Sequence, residues 1–498
     1  MIIYITLLIL FLIISLSGIV FGLKIVEPGV GGHSIFYYLS GIATIITIYL
    51  SVMMISVSKK TSFMMMFLSI PFAGFVATVI NSLYLQYSLL WLLVLLIIYT
   101  NINLQTRSWD TITNILLLMV LVGTFQIFIA KYQIHAFVGY IHNCLTSILL
   151  FISFYSIINK TSLSFQKKLI IYTSYTLIFS FLFSLIKNNY SIIGIITRKY
   201  VVKTGLGFGE TIAVANIALI LSFILFCCYI VDGKRNRKLV YLIVILCSLS
   251  ILTGGRIAIL RFLLFLTMYY FITVKITFSY VKKIIALVML VTIIILSPLA
   301  SLLFSRTTTI ESYVRLYKDY KIVKNYPDYF WGVGDYNFEF YVRDNLEKFY
   351  ELTGPEKYYA AFTMGKVGYT RFFPKLYYAI LYGPFYLFLI FLVYFLLIKR
   401  LIRNIRNSVN GRVRILYKVF ALILIMDWLP FVGEFLTLRI NYVYSGAVGE
   451  LGLFLAPVRV MLYPWGIYSI FLFAFIAYHT YHTGIIENFT KRYSLNSL

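Results

Sequence analysis

Apolar residues along this chain do not alternate with polar ones; they run on, in stretches of about 20, the length an α-helix needs to cross roughly 30 Å of hydrocarbon. Runs of this kind recur from end to end. They predict about fourteen transmembrane helices, at 1–23, 35–57, 62–80, 84–103, 111–130, 137–158, 169–187, 208–231, 239–253, 257–277, 284–304, 376–398, 419–436 and 464–484. The third and fourth form one long apolar stretch, divided at Asn81. Continuous runs exclude a β-barrel, whose strands need short alternating segments. The expected fold class is therefore all-α, a polytopic membrane protein in three parts: helices over 1–304, one large extramembrane loop over 305–375, and the last helices over 376–498 around a basic loop at 399–418.

Composition sharpens this picture. The chain has 498 residues, is 61% hydrophobic and has a mean hydropathy of +0.91, far from the values of soluble domains. Residues 1–23 have no basic flank before them, which favours a retained first span over a cleaved signal. Cys144, Cys227, Cys228 and Cys247 all lie within apolar runs, so neither a disulfide framework nor a zinc site is expected.

Charge sets the orientation. Lys and Arg number 43 against 17 Asp and Glu, a formal net charge of +26. No basic soluble domain exists to bind nucleic acid, so the excess reads as membrane anchoring by the positive-inside rule. With the N-terminus in the cytoplasm, the inner loops hold Lys59 and Lys60, Arg107, Lys160, Lys167 and Lys168, Lys234, Arg235, Arg237 and Lys238, and Lys282 and Lys283. The next inner loop carries Lys399, Arg400, Arg403, Arg406, Arg412, Arg414 and Lys418 with no acid among them. Both termini then fall inside, and the 305–375 loop falls outside with nine acids against eleven bases. Its near-balanced charge and its tyrosines suit a folded surface element, and stretches such as ESYVRLYKDYKIVKNY repeat apolar positions at helical spacing.

Against that orientation, some cations lie on the wrong side for anchoring. RKYVVKTGLGFGETIAVANIAL, residues 198–219, puts Arg198, Lys199 and Lys203 with Gly205, Gly207 and Gly209 at the outer mouth of a span. Glycines permit close backbone approach, free amides of a first helical turn attract anions, and arginine grips phosphate bidentately. The alternative is a glycine-rich turn whose cations sit among lipid headgroups. In LTGGRIAILRF, Arg256 stands at an outer helix end and Arg261 about 7.5 Å deeper along the axis, where a cation needs a polar cavity or an acidic partner; the alternative is snorkelling to the outer headgroups. Asp427 is predicted mid-span with Glu434 seven residues on, sharing a helix face, and Glu210 opens the eighth span. Each is a candidate proton acceptor, or, for Asp427, the partner of an intramembrane arginine such as Arg261. The large loop contains no histidine, and His479 and His482 near the inner end of the last span lack a third metal ligand.

Three stretches carry a family resemblance. RKYVVKTGLGFGETIAVANIAL is similar to an arginine-to-glycine segment leading into a helix, with ten residues between Arg198 and Gly209. TGGRIAILRFLL resembles a segment with a small residue before an arginine at the start of a span. RLYKDYKIVKNYPDYFWGVGDYNF, from Arg315 to Phe338, resembles an arginine followed by a Gly-x-Gly turn in a large outer loop. In this order and sidedness they resemble the Wzy-type O-antigen polymerases of the O-antigen ligase and polymerase superfamily, over about residues 195–400. A second arginine-to-glycine spacing, Arg343 to Gly354, lies in the loop. Ligases of the superfamily carry a histidine in that loop; its absence here favours a polymerase.

The resemblance implies a metal-independent glycosyltransferase that needs no cofactor, in a bacterial cytoplasmic (inner) membrane with its site facing outward. It would move a growing glycan from undecaprenyl diphosphate to a lipid-linked repeat unit of an O-antigen, capsule or related polysaccharide. Its partners would be those undecaprenyl-diphosphate-linked oligosaccharides, the lipid bilayer, and a chain-length regulator and flippase of the same pathway. Arg198, Lys203, Gly209, Arg256 and Arg315 would bind the diphosphate, with Arg261 deeper, and Glu210 and Asp335 are the candidate bases. Trp331 to Tyr336 would form part of a wall for sugars. The rival from another class is a lipid-linked oligosaccharide flippase, which needs neither a long outer loop nor a base, and an O-antigen ligase is the rival within the superfamily.

Overall fold

The computed structural model describes residues 35–72, 83–102, 111–130, 133–187, 211–232, 236–252, 256–273, 331, 332, 334, 374–428, 436, 441–443, 460–462 and 464–484. The predicted spans at 1–23 and 284–304 lie outside them, as does most of the 305–375 loop. The described chain is a helix bundle. Its helices are α1 (Ile35–Met53), α2 (Lys59–Ser69), α3 (Leu83–Asn101), α4 (Thr111–Ile129), α5 (Gln133–Gly139), α6 (Thr146–Lys160), α7 (Leu163–Lys187), α8 (Thr211–Val231), α9 (Arg237–Leu252), α10 (Arg256–Thr273), α11 (Pro374–Tyr382), α12 (Pro384–Asn407), α13 (Gly411–Met426) and α14 (Pro464–Tyr481). A two-stranded antiparallel ribbon, β1 (Asn441–Val443) with β2 (Val460–Leu462), qualifies the all-α expectation. Among the described residues, Thr111–Ile129, Asn143–Lys160, Val214–Val231 and Pro384–Asn407 are long and apolar enough to cross a membrane. Shorter apolar helices cover Ala43–Met53, Leu90–Asn101, Arg261–Thr273 and Gly466–Tyr481.

Helix is the form these residues take because it satisfies every backbone group within its own segment, which a solvent without hydrogen-bonding capacity demands. The same economy governs the hydroxyls. Thr173, Ser174, Ser222 and Thr480 each donate to the carbonyl four residues earlier, at 2.6 to 2.8 Å, so they are buried without a penalty. Ser58 caps α2 by accepting from the Thr61 amide, and Asn410 caps α13 by accepting from the Arg412 amide at 3.0 Å. Central α8 and α14 are buried nearly along their whole length, whereas α4 and α12 keep an apolar face outward.

One rod is not uniform. α5 and α6 are joined by a π-helical segment, Tyr140–Leu145, which adds a residue to the turn. Thr146 donates back to Ile141 O at 2.6 Å across that wider turn. The Tyr140 ring lies against Gly123 of α4, and its hydroxyl meets Thr124 Oγ1 at 2.7 Å and Val120 O at 3.0 Å. Cys144 Sγ lies 3.3 Å from Tyr386 OH of α12. The other half of the rod turns elsewhere: Phe154 packs on Phe63, Phe67 and Phe471, and Tyr155 on Tyr478.

Contacts also sort the bundle into two ends. α8 runs from Asn216, bonded to Arg261, to Asp232, paired with Lys167. α10 runs from Arg261 to Ile272, whose carbonyl accepts from Lys418 midway along α13, and α13 then runs on to Asp427. The end holding Lys167 and Lys418 also holds Arg400, over the Tyr481 ring at 4.9 Å, and Asn404, which donates to Thr480 O at 2.8 Å. Exposed cations gather there. At the opposite end the cations whose side chains are described, Arg261 and Lys375, are both buried.

A Cβ placed on Gly123 would come within 2.7 Å of the Tyr140 ring, and that ring is held by two hydrogen bonds. Gly123→Val should therefore lower stability by about 1–3 kcal/mol, visible as an earlier thermal unfolding transition of the purified protein.

Candidate functional site

At the end with the buried cations, three segments meet on one carboxylate. Asp427 stands at the C-cap of α13, its amide bonded to Ile423 O at 3.2 Å. Its Oδ2 accepts from Lys375 Nζ and from Tyr394 OH, the latter at 2.7 Å, and its Oδ1 accepts from the Leu436 amide at 2.8 Å. Lys375 lies in the first turn of α11, directly after the large loop, and Tyr394 lies midway along α12. The ammonium sits over two rings, 4.6 Å from the Tyr394 centroid and 4.9 Å from that of Trp428. The Asp427 side chain is 0% exposed and that of Lys375 5%. Such a pair survives in a low-dielectric interior because both charges are fully satisfied.

This arrangement corrects two expectations. Asp427 does not lie mid-span with Glu434 on a shared helix face: α13 starts earlier than predicted, at Gly411, and ends at Met426, with Asp427 and Trp428 in a turn. Nor does Asp427 pair with Arg261. Arg261 Nη1 instead donates to Asn216 Oδ1 of α8 at 2.9 Å, and the carboxylate is taken by Lys375. Arg261 is 4% exposed, so its guanidinium lies inside the bundle.

Trp331, Gly332 and Gly334, from the Gly-x-Gly stretch, touch the bundle. Trp331 packs edge-on against Phe125 of α4, ring centroids 5.1 Å apart, and remains 39% exposed. Gly334 N donates to Leu381 O at 2.9 Å, capping the end of α11. Gly332 and Gly334 have φ of 78° and 89°, and Gly383, between α11 and α12, has 87°. Each lies in the left-handed region that glycine reaches without strain. A Cβ on Gly332 would stand 2.5 Å from Gly383 N and 2.6 Å from Leu381 O, so the turn is seated directly on the helix break. Pro384 then restarts the helix at its first position, where a missing N–H costs nothing. Behind the break, Tyr378 stacks on Tyr386 at 6.2 Å, and Tyr382 lies tilted against Tyr386 at 4.6 Å.

Of the predicted site residues, Arg256 is the first residue of α10, at the same end as this cluster, one turn and a half before Arg261. Arg198, Lys203, Gly209, Glu210, Arg315, Asp335 and Glu434 lie outside the described residues. Sequence reasoning missed Lys375 and Tyr394. The signal for Lys375 was a cation after Pro374 at the edge of an apolar run, with Asp427 and Glu434 in the next predicted run. At the other end, His479 shares a 3.1 Å hydrogen bond with Gln166, and His482 is bonded to Tyr155, so the two imidazoles have separate partners. No protein-family model matches this chain, and no curated protein or solved structure does either.

Two outcomes follow from this geometry. Lys375→Met, which strands the carboxylate, should cost about 3–5 kcal/mol, while Lys375→Met with Asp427→Leu should recover most of it, as read from unfolding of the purified protein. Gly332→Ala should unseat the turn from Gly383 and make the large loop cut faster in limited proteolysis, with the helices left intact by circular dichroism.

Proposed function

We propose that this protein is a polysaccharide repeat-unit polymerase of the bacterial cytoplasmic membrane. It crosses the bilayer about fourteen times, with both termini cytoplasmic and the site on the outer face. The observation that carries this reading is sidedness. Arg256, Arg261 and the Gly-x-Gly turn of the large loop gather at one end of the bundle, and the exposed cations of α7, α9 and the α12–α13 hairpin gather at the other. Orientation by Lys and Arg bias puts the second end in the cytoplasm and the first outside.

In the proposed reaction an acceptor hydroxyl of one lipid-linked repeat unit attacks the anomeric carbon of a glycan on undecaprenyl diphosphate. The bond from that carbon to the diphosphate oxygen breaks, the diphosphate leaves on its lipid, and the hydroxyl proton passes to a base. Arg198, Lys203 and Arg256 neutralise the departing charge with amides near Gly209, and Arg315 adds a further cation from the loop. Glu210 and Asp335 are the candidate bases. Trp331, exposed on its Phe125 neighbour, offers a stacking face for a sugar. The sequestered Lys375–Asp427 pair favours a second reading, a lipid-linked oligosaccharide flippase, because charges buried within a membrane often mark a transport route.

Arg198→Ala and Arg256→Ala should each slow chain extension by about a hundredfold or more while leaving membrane insertion unchanged. Purified protein mixed with lipid-linked repeat units decides between the readings. A ladder of longer glycans is expected; translocation across the bilayer without elongation would replace the polymerase with the flippase.

A further inference from the structure

α12 presents one continuous stripe to the surroundings of the bundle, and the chemistry of that stripe changes abruptly along its length. Phe385, Phe388, Phe391 and Phe395 are 43%, 53%, 50% and 50% exposed, spaced three and four residues apart. The rings pair off along the helix, Phe385 stacked on Phe388 at 6.3 Å and Phe391 on Phe395 at 6.4 Å. One turn further, on the same face, come Lys399, Arg403 and Arg406, all exposed, with exposed Ile402 between them. From Phe388 to Lys399 the helix rises about 16 Å, close to the roughly 15 Å depth of one leaflet's hydrocarbon.

These three cations have no protein partner among the described residues. Their neighbours are already engaged: Arg400 lies over Tyr481, Arg414 donates to Ser408 O at 2.6 Å and 3.2 Å, and Lys418 donates to Ile272 O. The acids among the described residues are Asp232 and Asp427. Asp232 is held by Lys167, and Asp427 lies at the far end with Lys375. Between 399 and 418 the sequence contains no acid at all. Among the described residues no acid is left to balance Lys399, Arg403 and Arg406, and they adjoin a ladder of rings fit to receive acyl chains.

We infer that the outward stripe of α12 is a binding site for an anionic phospholipid of the leaflet at the basic end, with its phosphate between Lys399, Arg403 and Arg406 and an acyl chain along Phe395, Phe391 and Phe388. Guanidinium and phosphate match in planar, two-pronged geometry, and each cation near the surface adds to the attraction. The turn after α12 lies next to the cations and is closed from α13 by Arg414. The site is independent of the polymerase reading, because it uses none of the proposed catalytic residues and lies at the opposite end of the bundle.

Native mass spectrometry of the detergent-purified full-length chain tests it, with phosphatidylglycerol and phosphatidylcholine as probes. Wild type should retain phosphatidylglycerol in preference, and K399Q/R403Q/R406Q should weaken that retention by about tenfold or more. The charge-keeping variant K399R/R403K/R406K should retain it, and raised ionic strength should weaken it in wild type. Equal uptake of the two lipids by wild type would overturn the site whether or not the glutamine variant folds. Unchanged retention in a folded glutamine variant would do the same. A lipid-free dimer lost in F388A/F395A would assign the stripe to a second copy of this chain instead.

Discussion

In hydrocarbon a charge is tolerated only with its counter-charge in reach, and that requirement organises this bundle. Asp232 and Asp427, the acids among the described residues, are each bound to a lysine, one pair near each end of the helices. The Asp427 pair does more than neutralise. Through Lys375, Tyr394 and the backbone of Leu436, one carboxylate ties the exit of the large loop to α12 and to the chain that follows α13. Burying such a pair gains little net stability over an apolar replacement. What it fixes is geometry, because a segment that slips by one residue leaves an ion unpaired.

The second organising element is steric. Three glycines in left-handed backbone let the Gly332–Gly334 turn sit on the gap between α11 and α12. Close seating is what makes the Gly334 to Leu381 hydrogen bond possible, and it presents Trp331 beside Phe125. Trp331, Gly332 and Gly334 are thus seated at the same end of the bundle as Arg256 and the buried Lys375–Asp427 pair.

Much of the helical layout was legible in the sequence, since apolar runs of bilayer length admit one backbone solution. The runs at 35–57, 84–103, 111–130, 169–187, 208–231 and 239–253 correspond to α1, α3, α4, α7, α8 and α9 within a few residues. Errors arose where hydropathy is silent. The 376–398 run is two helices, because Gly383 before Pro384 breaks the hydrogen-bond ladder without interrupting the apolar pattern. The 419–436 run begins at Gly411 under an Asn410 cap, since Arg412, Arg414 and Lys418 are helical although they are polar. Its end is set by the capture of Asp427, a contact with a residue 52 positions away that no local pattern records. For the same reason the sequence could not decide between Arg261 and Lys375 as the partner of Asp427. Of the candidate site, the glycine turn and the end of the bundle for Arg256 were foreseeable, and Lys375 and Tyr394 were not.

The wide turn at Tyr140–Leu145 bears on how this molecule can change over time. The wider turn takes up one extra residue while Tyr140 and Cys144 address α4 and α12 and Phe154 and Tyr155 address α2 and α14. Deleting a single amino acid there would close the wide turn to a regular one with its flanks in phase, whereas a deletion within α6 would turn one half of the rod by about 100° against the other. Insertions and deletions in this rod are consequently matters of angle, not of length, and the wide turn is a place where a lineage can drop one residue without losing phase.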